Sequence, residues 1–181
     1  MKIILATPLY PPDIAEPAPF IKELATRLKE HHEIAIVTYG HLPEKIPGVT
    51  IRAVDKRQPL FVRLFQYTVL LFKSAKKAEF IFAENGASVE LPVALVTLFL
   101  RRPLLVHIGD QGAHARASSN VLLRAVERLA HMSAHTVLTE GPLPRPEILP
   151  FAPEPRAALD AYEVSWEKYL EQLEHIFTHG S

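Results

Sequence analysis

Short apolar runs rich in Ile, Val and Leu recur at Ile3–Ala6, Ile34–Val37, Val49–Val54, Phe80–Ala83, Leu104–Val106 and Thr136–Leu138. Each is nearly continuous rather than alternating, the pattern of a strand covered on both faces. Helical patterns lie between most of them. Phe20, Ile21, Leu24, Ala25 and Leu28 repeat at i, i+4 and i+8 and form one face of a first helix. Val121, Leu122, Ala125, Val126, Leu129 and Ala130 form one face of a later helix, with Ser118, Ser119 or Asn120 available as its N-cap. Leu60–Ala75 is apolar on more than one face, which predicts a deeply packed helix.

Two stretches break this rhythm. Six prolines between Gly141 and Pro155 predict an extended segment, with at most a short strand near Ile148–Phe151, because proline lacks a backbone donor. A strong helix signal follows. Asp160 and Glu163 have the spacing of a capping box. Tyr162, Trp166, Tyr169, Leu170, Leu173, Ile176 and Phe177 then fall on one stripe that must be buried. The expected fold is α/β: a single Rossmann-like, doubly wound, mostly parallel sheet of six or seven strands, with a carboxyl-terminal helix packed back on it. The expected organisation is a domain over 1–151, a Pro-containing linker over 152–159 and an amphipathic helix over 160–178.

Composition changes this picture little. The 181 residues are 48% hydrophobic with a formal net charge of zero, which suits one large domain and gives no electrostatic reason to expect nucleic acid. The absence of cysteine removes disulfides and thiolate metal sites. Met1 leads straight into a strand pattern, and no apolar run reaches membrane-spanning length. A cytoplasmic protein is therefore expected.

Local charge is more informative. Between Arg52 and Lys77 seven basic residues face Asp55 alone, whereas six acids between Glu154 and Glu174 face Arg156 and Lys168. The readings are two solvated faces, or a peripheral membrane contact through Arg52–Lys77. There is no Walker motif, Gly-x-Gly-x-x-Gly or Ser/His/Asp order, so NTPase, dehydrogenase and hydrolase readings have no support.

The opening Lys2–Pro12, the Phe20–Leu28 helix, Ile34–Gly40, Leu104-Leu-Val-His-Ile-Gly-Asp110 and Thr136-Val-Leu-Thr-Glu140 together resemble retaining glycosyltransferases of family 4, which have the two-domain GT-B architecture. The similarity spans residues 1–151 and corresponds to the amino-terminal, acceptor-side domain. The family's glycine pair in the first loop is replaced by Ala15 and Glu16. A methyl group and a carboxylate there crowd and repel a diphosphate. In the bland reading Glu16 is simply a good first-turn residue. Nothing matches the donor domain, yet Ser165–Phe177 resembles the family's closing helix, as though the donor domain were excised around Ala152–Leu159.

The resemblance implies where a site would lie. His107 is similar to a histidine beside the reacting sugar, although an alternative register makes it a plain strand residue and aligns Gly109 and Asp110 instead. Asp110 could act as a base or bind a sugar hydroxyl, or cap the following loop. His107 and Asp110 are thus the catalytic candidates. Tyr10, Ala15, Glu16, Glu84, Asn85, Gly109, Asp110 and Glu140 are the acceptor-binding candidates. Glu84-Asn85-Gly86 also reads as a simple turn, and Glu140 as a loop cap.

No cofactor is expected and no metal site. His131 and His135 need not share a face, and His107, Asp110 and His114 offer no confirming geometry. The implied protein is a truncated acceptor half, inactive alone because transfer needs donor and acceptor held across a cleft. Its partners would be a donor-domain protein and a sugar or lipid-linked acceptor. The alternatives are the acceptor subunit of a split transferase, a non-catalytic interaction module, and a membrane-surface subunit near a lipid-linked acceptor.

Overall fold

The computed structural model describes every residue except 16, 110, 111, 113, 114, 116–118, 139–145, 147–155, 180 and 181. The elements, in chain order, are β1 (Lys2–Ala6), α1 (Ala18–Leu28), β2 (Glu33–Tyr39), β3 (Thr50–Val54), α2 (Leu60–Ala75), β4 (Phe80–Glu84), α3 (Ala87–Leu100), β5 (Leu104–His107), α4 (Val121–Ser133), β6 (Thr136–Leu138) and α5 (Arg156–His179). The six strands form one sheet in the order β3-β2-β1-β4-β5-β6, and every pair is parallel. The chain winds outward from β1 through β3, then restarts at β4 on the other side of β1. The loops after β1 and β4 therefore diverge at the carboxyl edge, the switch point at which such sheets bind ligands.

Strand alternation divides the core into two. Ile3, Leu5, Ile34, Ile36, Phe80, Phe82 and Leu105 face α1 and α5. Ile4, Ala6, Val37, Ile81, Ala83, Leu104 and Val106 face α2 and α3. Both faces of the inner strands β2, β1, β4 and β5 are dry, which is why these read as unbroken apolar runs. In contrast β3, expected to be covered on both faces, is an edge strand in which only Val54 is buried.

The closing helix packs as its stripe requires: Trp166, Tyr169, Leu173 and Phe177 are buried against α1 and the sheet. Trp166 stacks on Phe20 at 5.5 Å, and Phe177 meets Phe80 edge-on at 4.7 Å. Polar contacts fix its register. Arg27 donates from both terminal nitrogens to Glu163, at 2.8 and 3.0 Å, and its guanidinium lies 5.0 Å from the Trp166 ring. His32 Nε2 lies 2.5 Å from Glu174. The helix begins at Arg156 rather than at 160, so Asp160 is internal to it and Glu163 pairs with Arg27 instead of closing a capping box.

Two helices differ from expectation. Among the residues of α2 only Tyr67, Leu71, Ser74 and Ala75 are buried, while Phe61 and Phe65 are 84% and 69% exposed. The helix is thus half-packed, with one apolar side on the sheet and another in solvent. In α4 the buried positions are Glu127 and Ala130, and Val121 and Leu122 stand in solvent. Asn120 is its N-cap, its Oδ1 accepting from the N–H groups of Leu122 and Leu123.

The α3 helix has no periodic stripe, and it contains Pro92. Proline cannot donate to the carbonyl four residues back, which here is Ser88. The Tyr39 hydroxyl donates to that carbonyl at 2.7 Å and replaces the missing N–H. Apart from Pro146, the proline-rich segment predicted as extended lies outside the described residues.

Candidate functional site

Strand ends place chemistry along the carboxyl edge. After β1, the Pro11–Pro12 peptide is cis and the chain turns back at Asp13, whose N–H donates to the Tyr10 carbonyl at 3.2 Å. After β2, Gly40 and His41 lead into a loop tied to the first, with the Glu44 N–H donating to the Pro11 carbonyl at 3.0 Å. Between these loops lies a cleft of about 230 Å³, walled by Tyr10, Tyr39, Asp13, His41 and Lys56. Lys56 pairs with Asp13 across it.

The cleft is both aromatic and polar. Tyr10 is buried, and its hydroxyl is inaccessible with no hydrogen-bond partner among the described residues. Its pKa is pushed up to about 12, first by burial and then by the negative charge of Glu44. Tyr39 stacks on Tyr67 at 4.4 Å, and burial raises its pKa as well. Both phenols are therefore neutral donors at any physiological pH.

Beyond the switch point the register of β4 and β5 sets Glu84 beside His107. Glu84 is fully buried, and its Oε1 lies 3.0 Å from His107 Nδ1. Its other oxygen, Oε2, has no hydrogen-bond partner among the described residues. A carboxylate accepting from Nδ1–H fixes the imidazole tautomer and leaves Nε2 as the acceptor nitrogen. The ring is held on the α1 and α5 side of the sheet by Phe20 at 5.5 Å, Phe82 at 5.7 Å and Tyr169 at 6.4 Å. At 4% exposure it is nearly sealed. Asn85 is buried next to this pair, its N–H donating to the His107 carbonyl at 2.9 Å. Gly86 follows with φ of 135°, a backbone conformation that favours glycine, and opens α3. The turn reading of Glu84-Asn85-Gly86 and the strand-end reading thus both describe it.

Of the sequence candidates, Tyr10 lines the cleft, while Glu84, Asn85 and His107 form one cluster with Gly109 two residues beyond it. Ala15 is exposed ahead of α1, which starts three residues later with Ala18. Glu16, Asp110, Glu140 and His114 lie outside the described residues. The sequence reading missed Asp13, Tyr39 and Lys56, which only the adjacency of the β1, β2 and β3 ends brings together. His131 meets Glu90 and Glu127 rather than His135, all three ligand atoms lying within 4.8 Å of one another. Glu90, Glu127 and His131 each make further contacts within the chain.

Three solved structures share this arrangement of strands and helices. A UDP-N-acetylglucosamine 2-epimerase matches with a TM-score of 0.53 at 11% identity, over 77% of this chain and 41% of its own. The domain is GT-B-like. A Listeria monocytogenes protein assigned as such an epimerase matches with a TM-score of 0.51 at 13% identity, over 76% and 38%. Anabaena HepE, solved in complex with UDP, matches with a TM-score of 0.50 at 21% identity, over 76% and 37%. At these identities the shared property is the fold, and this GT-B-like chain spans about two fifths of the length of the three proteins. No family model matches the chain, and comparison with curated proteins gives no match.

Proposed function

We propose that this chain is the acceptor-side half of a glycosyltransferase-type site, inactive alone and completed by a nucleotide-sugar-binding half. One observation carries the reading. The cleft is flanked by two apolar side chains, Ile14 at 92% exposure and Leu42 at 78%, on the edge where GT-B-like folds place their ligands. Leu42 has φ of 53°, in the left-handed region that costs an ordinary residue about 1 kcal/mol. Strain that holds an apolar side chain in water is sensible where a second surface covers it.

In this reading the cleft takes the acceptor. Tyr10 and Tyr39 wall the cleft with little ring exposed, so the groups open to a sugar's hydroxyls are Asp13 and Lys56, an acceptor and a donor. His107 lies outside this cleft, held at Nδ1 by Glu84 and packed among Phe20, Phe82 and Tyr169. Charge separation in glycosyl transfer then develops between this edge and the donor half, which is why one half alone has nothing to react with. The lack of a glycine pair at Ala15 and Glu16 supports assigning the nucleotide elsewhere.

The test is capture of partners from the native cell by the tagged chain, beside Ile14→Asp/Leu42→Asp. The expected catch contains a nucleotide-sugar-binding domain and disappears with the double variant, whose melting temperature does not fall, because both residues are exposed and Asp tolerates the left-handed backbone at position 42 better than Leu. The same bare rim also suits a non-catalytic interaction module. A catch lost with the variant but holding no sugar-nucleotide domain identifies that module and overturns the transferase reading.

A further inference from the structure

The sheet separates two helical layers of opposite character. In the layer of α1 and α5, Glu163 and Glu174 are tied to Arg27 and His32, and Asp160, Glu167 and Glu171 remain exposed. In the other layer, residues 60–77, 87–102 and 121–133 contain only two acids, Glu90 and Glu127, and both are buried. The solvent face of α2, α3 and α4 therefore displays basic and apolar groups with no carboxylate among them.

The apolar groups are large. On α2, Phe61 and Phe65 lie one turn apart and lead along i, i+4, i+4, i+3 spacing through Val69 to Phe72. Phe72, Lys73 and Lys76 then share a groove of about 490 Å³ with Leu95 and Phe99 of α3. Phe99 is 80% exposed and Leu98 57%. Lys76 Nζ lies 5.0 Å from the Phe72 ring, so the cation sits at the border of the apolar strip. Lys77 follows, and Arg101 and Arg102 end the neighbouring helix. Of the basic run near Arg52–Lys77, Arg57 is held by Asp55 and Lys56 by Asp13, whereas Lys73, Lys76 and Lys77 are exposed with no ion pair among the described residues.

We infer that this face docks on an anionic lipid bilayer. Aromatic and aliphatic side chains enter the headgroup boundary, and the lysines and arginines beside them meet phosphate charge. The absence of exposed carboxylates on the face, set against an acidic layer on the opposite side, orients the molecule with α5 away from the lipid. Among the described residues no helix is long and apolar enough to cross a membrane, so attachment is to one leaflet. Because α2 starts at the carboxyl edge of the sheet, insertion of Phe61 and Phe65 holds the cleft beside the bilayer. Docking itself does not rest on the transferase reading.

The experiment is flotation of the purified chain with vesicles of phosphatidylcholine alone and of phosphatidylcholine mixed with phosphatidylglycerol. Binding is expected only to the anionic vesicles and to weaken as salt is raised. Lys73→Gln/Lys76→Gln/Lys77→Gln is expected to lower partitioning about a hundredfold, at roughly fivefold per lysine neutralised. Phe61→Ser/Phe65→Ser, exposed positions whose replacement leaves the circular dichroism and melting temperature unchanged, is expected to reduce binding at least tenfold. No binding to anionic vesicles, or binding unaffected by both variants, overturns the inference. So does a concentration-dependent dimer that Phe61→Ser/Phe65→Ser abolishes, because the face is then an interface between copies. Retention on duplex DNA without vesicle binding overturns it as well.

Discussion

Glu84 and His107 face each other in a setting where neither tolerates isolation. A buried carboxylate that loses its donor, or a buried imidazole that loses its acceptor, costs about 3 kcal/mol or more. Glu84→Leu and His107→Phe should therefore each destabilise the fold by about that amount. The double variant Glu84→Leu/His107→Phe should cost clearly less than the two single losses together, since no polar group is then stranded. Urea denaturation of the four proteins measures the coupling, and strict additivity would show that the two side chains do not interact.

The tyrosines give a pH prediction at the same scale. Tyr10 is raised to about 12 by burial and Glu44, and Tyr39 and Tyr67 are raised by burial. Folding thus favours the neutral phenols, so their contribution is complete below about pH 10, the unfolded value, and is lost as pH climbs towards 12. Ultraviolet absorbance followed beside circular dichroism should show these phenols ionising only as the chain unfolds. Titration of all five tyrosines near their ordinary value in a still-native spectrum would contradict the packing.

At the scale of elements, α3 depends on a side chain from β2. With Pro92 in the helix, the Ser88 carbonyl has the Tyr39 hydroxyl as its donor. Tyr39→Phe should cost about 1 kcal/mol, and much less in a Pro92→Ala background, because residue 92 then supplies an N–H to Ser88. Equal losses in both backgrounds, measured by thermal denaturation, would refute this exchange of donors.

Elements also show what could be read beforehand. The strands were legible because Ile3–Ala6 and Phe80–Ala83 are apolar on both faces, and α5 because its aromatic stripe has one period. In α2 and α4 the pattern gave the helix but not its orientation. Periodicity says which side is apolar, and only tertiary packing decides whether Phe61 or Val121 is covered. Glu84, Asn85 and His107 were recognisable as strand-end residues, yet their pairing needs the β4–β5 register. Asp13 and Lys56 are 43 residues apart, and no local spacing could join them.

For the whole molecule, the two helical layers differ in polarity, and Ile14 and Leu42 stand exposed beside the cleft. In the proposed function the cleft between the β1 and β2 loops is where an acceptor is held. The chain spans about two fifths of the GT-B-like proteins it matches, and in the proposed function glycosyl transfer needs a second half. The most direct measurement is turnover by the purified chain alone, with radiolabelled nucleotide sugars and acceptor lipids or glycans from its own cell. The expected result is no transfer above the protein-free control, and transfer once the captured nucleotide-sugar-binding partner is added. Sugar transfer by the isolated chain above that control would contradict it.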